Sequence, residues 1–261
     1  MKIYIAVDME GISGVAGSEF VIANGQRYQE GRRYYTGDIN ACAAGCFRAG
    51  ADTVIVRDAH SNGTHALWDQ LDPRIELVQG TGARKRFPGL DECDGLILLG
   101  YHAMAGTPEA LLEHTFSSAS IQNIWLNGRP VGEIGIDASI AAAMGIPTIM
   151  VSGDDKACHE ATEWIPGVIT CQVKIGYSCQ CTRLLSLEKA HQRLEDKAFT
   201  AVRAIKSFVP PHVDTPVTLR KEMMERIAIP HESVRPNIRV IDGRTYETTA
   251  DSVEAAFDLL S

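Results

Sequence analysis

The stretch Lys2-Ile3-Tyr4-Ile5-Ala6-Val7-Asp8-Met9-Glu10-Gly11-Ile12-Ser13-Gly14 decides the fold class. Its first half is short, apolar and rich in β-branched residues, which reads as a strand buried on both faces, and the glycines at 11 and 14 break the chain into a loop. Asp8 and Glu10 therefore fall at the C-terminal end of a strand, the edge where ligands bind in open α/β sheets. Two apart in an extended segment, both side chains point to one side. Like charges held that close repel unless a cation or a shared proton intervenes. Acids at such a position also cap helices or end a strand in solvent, so the pair alone leaves both readings open.

The same rhythm recurs down the chain. Residues 28–49 are alanine-rich and helical in character, closed by Gly50. A second apolar run at 52–56 opens into Arg57-Asp58-Ala59-His60-Ser61-Asn62-Gly63, which puts His60 at the same edge as Asp8. A short strand is predicted at 75–78, and the buried run 96–100 delivers Tyr101-His102-Ala103 to a third strand end. Arg84, Lys85 and Arg86 form a small basic cluster of the kind found on solvated loops. Residues 107–120 read as a loop or lid carrying Glu113-His114-Thr115. Next come a strand at 121–126, the hairpin signal Asn127-Gly128-Arg129-Pro130, a helix at 136–144 with Glu133 at its start, and a buried strand at 147–151.

The pattern predicts an α/β fold: a mainly parallel sheet flanked by helices, with a smaller C-terminal α/β part. That part is read as a helix at 156–164, strands at 168–174, near 216–220 and 237–241, and helices at 187–206 and 250–260. The boundary is expected near 155, between a metal-binding catalytic α/β domain (1–155) and a smaller α/β domain contributing to assembly (156–261).

Composition narrows the function. A chain of 261 residues that is 45% hydrophobic can bury a large core without staples. A net charge of −8 with no long basic run argues against a nucleic-acid partner. No apolar stretch approaches membrane-spanning length and no signal-peptide pattern opens the chain, so a cytoplasmic location is expected. The seven cysteines are odd in number and scattered, which fits reduced packing thiols rather than a disulfide framework.

Asp8, Glu10, His60, His102 and Glu133 share strand ends or a helix start, and combine three carboxylates with two imidazoles. Such a mixture suits divalent transition metals, zinc among them. Five ligands are too many for one tetrahedral ion and suit a pair bridged by a carboxylate. Three negative charges against two dications leave +1, which a bridging hydroxide would cancel.

Asp8-Met9-Glu10-Gly11-Ile12-Ser13-Gly14, Asp58-Ala59-His60-Ser61, Gly100-Tyr101-His102-Ala103, His114-Thr115, Asn127-Gly128-Arg129-Pro130-Val131-Gly132-Glu133 and Val151-Ser152-Gly153-Asp154-Asp155 together resemble the D-aminopeptidase family of dinuclear zinc metallopeptidases. The likeness runs from residue 1 to about 175 and fades beyond. It implies two Zn²⁺ per subunit, bridged by Asp8, with Glu10 and His102 completing one position and His60 and Glu133 the other. It further implies that His114 is the remaining active-site histidine, and that subunits form a ring-shaped homodecamer with active sites facing an inner channel. The activity implied is removal of an N-terminal D-amino acid from a short peptide. In that family the matching histidine is sometimes cast as a nucleophile; because a bridging hydroxide already supplies the attacking oxygen, His114 is expected here to donate a proton to the leaving amine or to hold the oxyanion. A dinuclear phosphoesterase or other amidohydrolase is the alternative, although no convincing phosphate cradle accompanies the metal residues; Gly80-Thr81-Gly82 lacks the context of a nucleotide loop. A non-enzymatic α/β binding protein would leave three ligand-bearing strand ends without a purpose.

Overall fold

The first strand, β1 (Lys2–Val7), lies in the middle of a six-stranded sheet, and its alternation feeds two separate cores. Ile3, Ile5 and Val7 face one layer of helices and Tyr4 and Ala6 the other, all fully buried, which is what an uninterrupted apolar strand requires. The computed structural model describes residues 1–83, 85–226, 229–231 and 235–260. After β1 come α1 (Tyr28–Arg48), β2 (Thr53–Asp58), β3 (Ile75–Val78), β4 (Gly95–Tyr101), β5 (Ile121–Leu126), β6 (Arg129–Pro130), α2 (Glu133–Ala143), β7 (Thr148–Gly153) and α3 (Asp155–Trp164). Then follow β8 (Ile169–Gln172), β9 (Lys174–Ser178), β10 (Cys181–Leu184), α4 (Leu187–Arg203), β11 (Val217–Met223), β12 (Ile238–Val240), β13 (Thr245–Ala250) and α5 (Val253–Leu260).

The large sheet runs β3-β2-β1-β4-β7-β8 and every pairing in it is parallel. From β1 the chain builds outward through β2 and β3 on one side, then returns to build β4, β7 and β8 on the other. The topology therefore switches between β1 and β4, where the diverging connections leave a crevice at the C-terminal strand ends. Residues of α1 and α4 fill the core on one face; those of α2, α3 and α5 fill the other. A second, antiparallel sheet, β12-β13-β11-β5-β6, packs with that second core.

Both sheets take strands from either side of residue 155: β8 extends the parallel sheet beside β7, and β11 pairs with β5. The strand expected at 168–174 is divided, because β8 stops at Gln172 and the chain turns at Lys174 into the β9–β10 hairpin. The terminal helix starts at Val253 rather than 250, since residues Thr245–Ala250 are β13. No helix among the described residues is long and apolar enough to cross a membrane.

Candidate metal centre

Asp8 follows β1 directly, His60 lies just beyond β2 and His102 just beyond β4, so three adjacent parallel strands present them at one edge. The loops after β1 and β4 touch backbone to backbone: Gly11 N–H donates to the Gly100 carbonyl at 2.7 Å. A Cβ on Gly11 would sit 2.0 Å from the Tyr101 carbonyl oxygen, and one on Gly100, whose φ is +72°, would sit 2.5 Å from that of Asp8. Only glycine permits that approach. Glu133 reaches the same place from the first turn of α2, where a carboxylate is favoured by the helix dipole.

Asp8 holds the cluster together. Its Oδ1 lies 3.0 Å from His60 Nδ1 and its Oδ2 3.3 Å from His102 Nε2. Glu10 Oε2 is 3.1 Å from His60 Nδ1, while Glu133 Oε1 is 3.3 Å from His102 Nε2 and 3.9 Å from His114 Nε2. Donor atoms of Asp8, Glu10 and His60 fall within 4.8 Å of one another, as do those of His102, His114 and Glu133. The structure thus brings all six sequence-predicted residues together. Their proximities pair Glu10 with His60 and Glu133 with His102, whereas the resemblance pairs them the other way, and His114 stands beside Glu133.

The ring protonation follows from the partners. His102 Nδ1 lies 2.9 Å from the Ala103 carbonyl and His114 Nδ1 2.8 Å from that of Leu112. A carbonyl only accepts, so each Nδ1 carries a proton and each ring turns its Nε2 toward the cluster. His60 is reversed: Nε2 donates to the Val21 carbonyl at 3.3 Å and Nδ1 faces the carboxylates.

Burial pushes His60, His102, Glu10 and Glu133 toward neutrality, but the opposite charges prevail. Glu10 and Asp8 hold His60 well above the usual histidine range, and Glu133 does the same for His102. His60 in turn keeps Glu10 far below the usual carboxylate range, and His102 lowers Glu133. Cations entering this centre therefore exchange with protons. The donor set itself fits them: Asp8 Oδ2, Glu10 Oε2 and His102 Nε2 are buried without a hydrogen-bond partner among the described residues, although each lies within 3.3 Å of an opposite group. Close but unaligned nitrogen and oxygen atoms, with no thiolate among them, are what a zinc-like ion can satisfy and a hydrogen bond does not.

The centre opens into a cleft of about 570 Å³ that Glu10, His60, His65, Glu113, His114 and Phe116 help to line. No lysine or arginine is among its described lining residues. Across the cleft, the 107–120 segment carries left-handed backbone at Glu109, Leu112 and Phe116, with φ of 59°, 50° and 60°. Such conformations cost energy in non-glycine residues and concentrate at functional sites.

The family model for D-aminopeptidase matches residues 1–261. The chain belongs to the D-aminopeptidase family. A D-aminopeptidase of Bacillus subtilis (strain 168) is 37% identical over 222 residues, covering 83% of this chain and 80% of that protein. The solved structure of the zinc-dependent D-aminopeptidase DppA from Bacillus subtilis, described as a self-compartmentalizing protease, superposes with a TM-score of 0.94 at 32% identity. It covers all of this chain, which in turn covers 95% of it. The D-aminopeptidase match thus extends past residue 175, where the quoted motifs fade.

Several residues around this D-aminopeptidase centre escaped the sequence reading. Lys174 is buried, and its Nζ donates to the carbonyls of Glu10, Ile12 and Val15 at 2.6, 2.8 and 2.9 Å. Burial pushes that amine down to about 7, while three acceptors favour the ammonium, since a neutral amine has only two N–H groups to give. Asp38 takes the other side of the same loop, accepting from the backbone N–H of Ser13 at 2.8 Å and from its hydroxyl. His65, itself buried, donates to the His60 carbonyl at 2.9 Å. Asp58 turns away from the centre: it accepts from the Tyr35 hydroxyl and from the N–H groups of His65 and Ala66. Asp154 caps α3, accepting from the Ala157 N–H at 2.8 Å. The basic cluster needs correction too. Lys85 is exposed as expected, but Arg86, with its side chain only 17% exposed, is bound to buried Asp137; Arg84 lies outside the described residues.

Proposed function

We propose that this chain is a zinc-dependent exopeptidase that removes the N-terminal D-amino acid from short peptides. The observation that carries the reading is the bifurcated position of Asp8, one carboxylate oxygen toward His60 and the other toward His102, with unpartnered buried donor atoms on either side. Asp8 would lie between two zinc ions, with Glu10, His60, His102 and Glu133 completing the two positions. Zinc there supplies Lewis acidity for a peptide carbonyl and water made nucleophilic near neutral pH.

The chain's own groups do the rest. His114 Nε2, its partner nitrogen tied to Leu112, faces the cleft and would give a proton to the departing amine or hold the developing oxyanion. The free α-amino group of the substrate would be drawn to the acidic end of the cleft, where Glu10 and Glu113 are the carboxylates. A phosphoesterase would want lysine or arginine on the cleft wall, and among the described residues the wall has neither.

The self-compartmentalizing character of the solved relative supports assembly of this chain into a closed homo-oligomer; a ring-shaped decamer with its clefts facing an inner channel is the form that the family resemblance implies. Exposed Ile22, Trp68, Tyr177 and Leu187 offer apolar surface for contacts between copies. The free state of all seven cysteines fits a reducing, cytoplasmic location.

The test couples elemental analysis of the purified protein to release of free amino acid from paired D- and L-aminoacyl peptides. Two zinc ions per chain and preferential release from the D-peptides are expected. Zinc-loaded protein that releases no amino acid from either series, or prefers the L-series, overturns the reading.

A further inference from the structure

Arg86 stands behind Glu133, outside the cleft. Its guanidinium meets both carboxylate oxygens of Asp137, through Nε and through Nη2 at 2.8 Å, and Nη2 lies 3.7 Å from Glu133 Oε2. Asp137 is fully buried, follows Glu133 by about one turn of α2, and also accepts from the Tyr101 hydroxyl at 2.7 Å. Rings of Phe116, Phe87 and Phe257 wall the guanidinium, with centres 4.8, 5.4 and 5.5 Å from its carbon. The opposite oxygen of Glu133 accepts from the Phe116 N–H at 2.7 Å and faces His102.

A buried arginine needs an acid, and the two-pronged pair with Asp137 already meets that need. The third carboxylate within 3.7 Å is therefore an addition with a geometric effect. Oε2 of Glu133 is drawn toward the guanidinium and Oε1 is held by Phe116, so the plane of the carboxylate is fixed from both ends. Tyr101, which shares Asp137 with Arg86, immediately precedes His102, so one buried network braces two residues of the centre at once.

We propose that Arg86 is a positioning residue for the metal centre. Locked on Asp137 and boxed by three phenylalanines, it sets the orientation of Glu133, and with it the grip on the zinc nearer Glu133, while the position nearer Glu10 is untouched. The inference rests on the zinc reading above.

Full-length wild type is compared with Arg86→Lys, Arg86→Met and the double variant Arg86→Met/Asp137→Asn, which removes both charges so that no buried carboxylate is left unpaired. Zinc retained per chain is followed across graded chelator concentrations, with circular dichroism to score folding and kcat and KM for a D-aminoacyl peptide. In Arg86→Met and the double variant, one zinc equivalent is expected to leave at roughly 10–100-fold lower chelator, the usual effect of losing an outer support of a ligand. The second equivalent should leave as in wild type, kcat should fall with KM unchanged, and Arg86→Lys should recover part of both losses. A folded double variant that holds both equivalents like wild type overturns the proposal. Failure of all three variants to fold does so too, because the pair would then be structural. Wild type without zinc or without peptidase activity defeats the zinc reading itself, whereas active wild type with unaffected variants defeats only the role of Arg86.

Discussion

The imidazole of His114 stacks on that of His102, with ring centres 4.0 Å apart and planes 12° from parallel. One ring comes from a strand end and the other from the strained segment across the cleft, and both point Nε2 at Glu133. In the proposed mechanism this stack would hold His114 for proton transfer, with no need for it to bind a metal. His114→Ala is expected to retain stoichiometric zinc and to lose turnover by roughly 100-fold or more, the usual weight of one positioned acid. Zinc per chain and kcat decide it: full turnover removes His114 from the chemistry, and loss of a zinc equivalent makes it a ligand.

The Lys174 ammonium ties down the loop that carries Asp8 and Glu10. Lys174→Met leaves three carbonyls without their donor and is expected to cost on the order of 3 kcal/mol. Zinc should also leave at lower chelator concentration than in wild type. Thermal melting and zinc content check both, and an unchanged melting temperature would show that water replaces the amine at no cost.

Glu160 accepts from the Met104 N–H at 2.7 Å through one oxygen and has no partner for the other, and burial pushes its carboxyl up from 4.5 to about 7. An acid raised on folding binds its proton more tightly in the folded state. Its contribution to stability is therefore fully present below about pH 4.5 and is lost as the pH climbs through 7. In zinc-free protein, Glu160→Gln should melt close to wild type near pH 5 and above it at pH 8, by at most roughly 3 kcal/mol. Equal melting curves for the two proteins at pH 8 would contradict the raised value.

On the zinc reading, chelation would remove the cations that offset three buried carboxylates, Asp8, Glu10 and Glu133. Returning zinc at about 100 times its dissociation constant is expected to add roughly 3 kcal/mol to stability. For a chain of this size that is a rise in melting temperature of roughly 5–10 °C. A melting temperature indifferent to zinc would mean that the cluster binds none in the folded state.

Much of this centre was legible because its ligands sit where apolar runs stop. Ile3 to Val7 and the run before His102 are unmistakable buried strands, so Asp8 and His102 could be assigned to one edge before any geometry was known. The supports were hidden because each depends on contacts across long sequence distances. Arg86 reads as part of a basic loop until Asp137, 51 residues later, is folded onto it. Lys174 was assigned to the end of a strand, and nothing in its neighbours reveals the three carbonyls it meets 159 to 164 residues upstream. β13 carries β-favouring threonines and tyrosine in Thr245-Tyr246-Glu247-Thr248-Thr249-Ala250, a usable signal, but the sequence reading places no element at 242–249 and gives residue 250 to the terminal helix.

The order in which the polypeptide is synthesised gives Lys174 a further meaning. A ribosome releases Asp8 and Glu10 before the other proposed ligands, the last of which is Glu133, yet the amine that fixes the first loop emerges 164 residues after Glu10. A nascent chain stalled before that point would own every coordinating side chain and still lack the tether that gives the first two their shape. On the zinc reading, firm metal binding would wait for the first residue of β9, and a product truncated before it would hold zinc loosely even with all its proposed ligands present.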